Sequence, residues 1–224
     1  MNTYRTKFAA ALLALALPLL VAGCATTSHF KVTAFHTLPA SGGGKTIAIV
    51  PVDKGNEDSL EFRSHSNRIA QYLAKDGYRL VGASDKPDYY AFVAYWIDEG
   101  KSYTYTLPVY VQTGGGLTYS SGTITTPSGT KTYSGYSYSV PSYSVLPSRQ
   151  TDIEYTKRLL VDILDGKAYR EGKTVKVYEG KVISRDTSEV LSEAVPLMID
   201  AMFANFPGES GKTRKVTLPA SGKN

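Results

Sequence analysis

Residues 101–150 divide this chain into two blocks that can build a core and one that cannot. Eight tyrosines fall there (Tyr103, Tyr105, Tyr110, Tyr119, Tyr133, Tyr136, Tyr138 and Tyr143), set among Ser, Thr and Gly. The part from Gly114 to Pro147 has no acidic residue and few aliphatic ones. It cannot bury enough apolar surface to offset its own ordering. The core must therefore come from the flanking blocks, and the insertion 113–150 is either a long β-hairpin or a loop.

The first block begins with a strand, Thr46–Val52, ended or placed at an edge by Pro51. Asp58 followed by Glu61 is a capping-box variant that predicts a helix from near Ser59. Phe62, Ile69 and Leu73 recur at helical spacing, and Gly77 sits where a left-handed C-terminal cap belongs. Tyr78–Gly82 reads as a short strand, and Tyr89–Ile97 as a long apolar one in contact with protein on both faces.

In the second block the odd positions of Ile153–Leu164 are mostly apolar, the pattern of a half-buried strand. Asp165-Gly166 opens a loop, and Thr174–Ser184 returns as a strand with a bulge expected at Gly180. A second helix is expected from about Ser188 to Asn205, with Pro196 kinking it or marking its true start. The order of elements predicts an α+β fold: a mostly antiparallel sheet with two helices packed on one face, plus the Tyr/Ser/Gly-rich hairpin or loop. Residues 46–208 form this single domain, 24–45 read as a tether, and 209–224 as a basic, solvated tail.

The N-terminus points to export. Arg5 and Lys7 precede an apolar run from Phe8 to Ala22, too short for the roughly 20 residues of a spanning helix but suited to a signal peptide, 1–23. Leu20-Val21-Ala22-Gly23-Cys24 resembles the lipobox of bacterial lipoproteins. That resemblance implies diacylglyceryl transfer to Cys24, cleavage between Gly23 and Cys24, and fatty acylation (palmitate or similar) of the new amine. Cys24 is the only cysteine, so no disulfide supports the fold. Two or more acyl chains would hold the protein stably on a membrane. Ala25, where Asp would imply inner-membrane retention in Gram-negative bacteria, implies the outer membrane by the same resemblance. Residues 1–23 hold two cations and no acid, so without them the net charge falls from +5 to +3. A charge that mild gives no nucleic-acid footprint.

Motifs with chemistry are scarce. Gly42-Gly43-Gly44-Lys45-Thr46 ends like a phosphate loop, but Pro39 stands where the first glycine belongs, and a strand follows where a helix is required. It reads as a flexible linker. His29 and His36 fall in the expected tether, and His65 on the apolar stripe of the first helix, as a boundary histidine satisfied by a neighbour. No spacing suggests a metal site, a catalytic serine or a cofactor. Asp85 with Asp88, or Asp98 with Glu99, are the only candidate carboxylate pairs, and turn carboxylates at strand ends are the plain alternative.

Two groups of stretches resemble one known family. They are Ile47–Val52 leading to Ile69–Tyr78 and Asp88-Tyr89, and Arg158–Asp165 leading to Tyr178–Val182 and Phe203–Gly208. Together they resemble the bacterial lipoproteins grouped as domain of unknown function 4136, over 45–110 and 150–208. The resemblance implies an envelope location and a fold but no activity, and the insertion departs from it. The same order of elements is similar to small periplasmic accessory domains of envelope lipoproteins.

The expected function is that of a lipid-anchored, non-catalytic binding or scaffold module. Its tyrosines at 105, 110, 119, 133, 136, 138 and 143 would contact an envelope protein or a glycan such as peptidoglycan. The alternatives are an arm whose tyrosines pack only on each other and, in a different class, a cell-wall polymer hydrolase using a carboxylate pair. Oligomeric state is open.

Overall fold

Alternation with a period of two, on strands that lie side by side, decides how this chain folds. In the computed structural model, which describes residues 27–220, the chain divides into two units. One comprises the residues up to Gly100 and from Tyr155 onward, and the other Lys101–Glu154.

The strands are β1 (Thr27–His36), β2 (Thr46–Pro51), β3 (Arg79–Leu80), β4 (Tyr89–Ile97), β5 (Lys101–Thr126), β6 (Gly129–Asp165), β7 (Lys176–Asp186) and β8 (Thr213–Pro219). The helices are α1 (Leu60–Lys75), the single-turn α2 (Gly166–Arg170) and α3 (Leu191–Phe203). In the first unit the sheet runs β3-β2-β4-β6-β7-β1-β8. β2 pairs parallel with both β3 and β4, and every other pair is antiparallel. The fold is thus α+β with a mixed, mostly antiparallel sheet.

Register aligns one buried row after another. Val32 faces Val182, which faces Leu159, and Val161 lies between Val93 and Gly180. Leu159, Val161, Ile163, Ile47 and Ala91 are wholly buried, and they join Ile69 and Leu73 of α1 and Met198, Ile199 and Met202 of α3 in one cluster. Each large side chain so buried contributes about 1.5–3 kcal/mol before entropy is counted.

α1 begins at Ser59, whose hydroxyl accepts from the Phe62 amide, so the cap is Ser59 and not Asp58. It ends as expected at Gly77, with φ +87°. α3 continues through Pro196, which lies in its second turn. Pro196 has no amide to offer the Ser192 carbonyl, and Ser192 is exposed to water. The helices are tied by Arg68, whose guanidinium donates twice to Asp200 at 2.6 Å, while the Tyr72 hydroxyl donates to the same carboxylate at 2.9 Å.

Four expectations are corrected. Ten residues of the expected tether, Thr27–His36, form β1, paired on both sides, with Phe30, Val32 and Ala34 buried. The expected solvated tail contains β8, whose Val216 and Leu218 pack on the core. Arg214 of β8 donates to the Ala201 and Met202 carbonyls at the C-terminal end of α3, where a cation is favoured. Asp165 does not open a loop but caps α2, accepting from the Ala168 amide at 2.8 Å. The register shift in β7 falls at Val177, not Gly180. Gly180 stays in register because a Cβ there would meet the Tyr178 ring at 2.5 Å, so its missing side chain makes room for that ring.

Candidate functional site

The second unit is a two-stranded ladder. β5 and the first part of β6 pair from Lys101↔Glu154 to Thr126↔Gly129, so it is a hairpin, and it is longer than the insertion expected at 113–150. Twenty-six residues at the usual rise make β5 about 80 Å long. Thr is β-branched and its hydroxyls pair across the strands, as Thr104 with Thr151 and Thr125 with Thr130. At the tip, Thr126 donates to the Gly129 carbonyl and meets the Ser128 hydroxyl.

Three glycines break the ladder. Gly115 and Gly116 have φ of +78° and +93°, and a Cβ on Gly115 would meet the Val140 carbonyl oxygen at 2.3 Å. Register shifts between Gln112 and Gly116, and the Gln112 amide donates to the carbonyls of Gly114 and Gly115. The irregularity separates the tyrosines into groups.

Toward the tip, Tyr119 lies opposite Tyr136 with ring centroids 5.0 Å apart, and the neighbouring pair on that face is Leu117 with Tyr138. All four are more than half exposed: Leu117 71%, Tyr119 57%, Tyr136 73% and Tyr138 70%. Tyr133 faces the other way and lays its ring over Gly122. Below the irregularity, Tyr105 stacks on Tyr103 at 5.9 Å and donates to Asp152 at 3.0 Å. That row continues through Leu107, Val109, Val111 and, across the ladder, Leu146, all exposed. Tyr110 and Tyr143 share the opposite face with Val145. The seven tyrosines therefore do not converge: Tyr119, Tyr136 and Tyr138 make one patch, and Tyr105, Tyr110, Tyr133 and Tyr143 stand apart from it. Sequence reasoning missed Leu117 and the Leu107–Val111 row, although the alternation Tyr103, Tyr105, Leu107, Val109, Val111 was there to be read.

The candidate carboxylates are occupied by backbone. Asp88 accepts from the Thr46 amide and hydroxyl, both at 2.8 Å, and Lys45 lies at 3.4 Å. The Thr46 amide and hydroxyl, with lesser help from Lys45, hold its carboxyl below the ordinary range. Asp98 accepts from the Thr156 amide at 2.8 Å and the Gly100 amide at 3.2 Å, which lowers its pKa as well. Asp85 caps its own turn through the Gly82 amide. His65 is buried, 3.4 Å from Glu61 and edge-on to the Tyr95 ring. His29 and His36 sit in β1, where His29 meets the Thr217 hydroxyl and His36 the Gly208 carbonyl. Among the described residues no three His, Cys, Asp or Glu side chains gather as metal ligands would. Gly23 and Cys24 lie outside the described residues, and no described helix is long and apolar enough to cross a membrane.

No curated protein matches the sequence. Among solved structures, a PDZ domain protein from Parabacteroides distasonis ATCC 8503 matches at 15% identity with a TM-score of 0.44, over 92% of this chain and 42% of its own. The chain thus spans less than half the length of that protein. Two PelC dodecamer structures from Paraburkholderia phytofirmans match at 10% and 11% identity with TM-scores of 0.37 and 0.35. They cover 81% and 83% of this chain and 99% and 100% of theirs. Likeness at this level assigns nothing to the hairpin. The sequence itself matches one family from Lys31 to Gly208, a span that takes in both sheet blocks and the hairpin between them, and the chain belongs to that family, the Domain of unknown function (DUF4136).

Proposed function

We propose that this protein is a non-catalytic binding or scaffold module of the bacterial envelope, held on the outer membrane by lipid on Cys24. Its hairpin contacts an envelope protein or a glycan. The observation that carries the reading is the patch Leu117, Tyr119, Tyr136 and Tyr138, exposed on a ladder only two strands wide. A two-stranded ribbon is marginal in water, and apolar rows on both its faces have no core to enter. Rigid aromatic side chains with polar tips suit contact surfaces, because little entropy is lost on binding. Both long helices would cover one face of the first unit's sheet. A hydrolase would need carboxylates free to meet substrate, whereas Asp88 and Asp98 are engaged by amides.

The test replaces Tyr119, Tyr136 and Tyr138 together by Ser and compares in-cell crosslinking to envelope components. Loss of crosslinks with an unchanged melt supports the arm as the recognition element. Crosslinks that survive intact would sink it. For the anchor, Cys24→Ser is expected to abolish acyl labelling and to release the protein from membranes in a salt wash. Retention of the label would overturn the lipid site.

A further inference from the structure

The face of the first unit's sheet opposite its buried rows carries unbalanced positive charge along β7, β1 and β8. Lys31 stands in register between Lys215 on β8 and Ile183 on β7, and the row continues through Arg158 to Trp96. Lys181 and Arg185 flank Ile183 two residues away on the same face. Lys31, Lys181, Arg185 and Lys215 are all exposed, and among the described residues none of them takes part in an ion pair. The acids on this face are engaged elsewhere: Asp162 and Glu179 hold Lys176, and Asp98 lies 3.9 Å from Arg158. Between His29, Lys31, Ile183, Arg185, Lys215 and Thr217 there is a cleft of about 440 Å³. Two lysines directly opposite each other across a strand pair repel. An anionic surface laid against them would remove that penalty.

Chain connectivity names the surface. β1 starts at Thr27, three residues after Cys24, and three trans peptide steps span at most about 11 Å. With Cys24 acylated, His29 and Lys31 therefore follow within one short strand of the membrane. The geometry points to a docking face: the cationic side of β7, β1 and β8 lies against anionic lipid headgroups and orients the domain on its anchor. This rests on the lipid-anchor reading.

Trp96 is the chain's only tryptophan and ends the same row, so it reports on this face directly. The full acylated chain would be reconstituted into phosphatidylcholine vesicles with and without phosphatidylglycerol, each carrying a headgroup nitroxide quencher. Docking predicts stronger quenching of Trp96 with phosphatidylglycerol, reversed by high salt. Each cation near an anionic surface is worth roughly fivefold, so K31Q/R185Q/K215Q lowers the docked-to-undocked ratio on the order of a hundredfold. The variant should melt no lower than the parent, since the Lys31–Lys215 repulsion is gone. Quenching independent of phosphatidylglycerol and salt overturns the proposal. So does an equal Trp96 response to soluble polyaspartate, which would assign the face to an acidic polypeptide. Failure to float with neutral vesicles overturns the anchor instead, and the phosphatidylglycerol response is then read on the unacylated chain.

Discussion

Gly180 shows how a single missing side chain can be misread. Glycine between Val177 and Val182 looks like a bulge, yet the residue pairs normally with Val161 and Ala34 and shelters the ring of Tyr178. Gly180→Ala should cost about 1–3 kcal/mol, the range for overpacking a filled core. Urea unfolding would measure it, and a neutral result would mean the Tyr178 ring can move aside. Asp88 carries the other prediction at this scale. Its folded pKa is depressed, so its contribution to stability is present above the ordinary carboxylate range and is lost as pH falls through the folded value. Wild type should therefore lose stability below about pH 4 more steeply than Asp88→Asn. Melting curves between pH 2 and 7 would test this, and parallel curves would show that the clamp on Thr46 contributes nothing.

Among the elements, those with long, clean periodicity were legible. α1 was readable from Phe62, Ile69, Leu73 and Gly77, and β4 and the core half of β6 from their apolar runs. The edges were not. β1 alternates Phe30, Val32 and Ala34 against His29, Lys31 and Thr33, but only those three of its ten residues are buried, and it leads into a Gly-rich turn. β8 buries only part of Arg214, Val216 and Leu218, so three inward positions stand among residues typical of a tail. Lys157 is a second obstacle: a lysine on the core parity of β6, buried because its ammonium donates to Asp186 at 2.7 Å. No local pattern announces a partner twenty-nine residues away. In the hairpin, composition indicated exposure but not which tyrosines share a face, since the triple-glycine irregularity resets the alternation. Removal of residues 212–224 tests the reassigned tail. It strips β1 of one neighbour and α3 of the Arg214 cap, and should lower stability by about 3 kcal/mol or more. A melt unchanged by the truncation would restore the solvated tail.

At the scale of the whole molecule, the core and the arm draw on separate stability. No residue between Lys101 and Glu154 belongs to the buried cluster, so the hairpin adds nothing to the packing that holds α1 and α3 on the sheet. The ladder is instead held by its own cross-strand bonds, while within the first unit Asp98 accepts from the amides of Gly100 and Thr156. Protection against hydrogen exchange should then change along one continuous strand. Amides of β6 from Leu159 to Leu164 sit between β4 and β7 and should open only with global unfolding. Amides of the same strand between Thr130 and Ser148 have a single neighbour and should exchange through local opening, orders of magnitude sooner. Peptide-resolved exchange of the isolated protein would show the step near Tyr155. Added partner should then slow exchange around Tyr119, Tyr136 and Tyr138 and leave the Leu159–Leu164 amides unchanged, because a contact made by the arm orders the arm alone. Uniform protection along β6 in the isolated protein would mean instead that the hairpin folds with the core, and an exposed arm awaiting a partner would lose its physical basis.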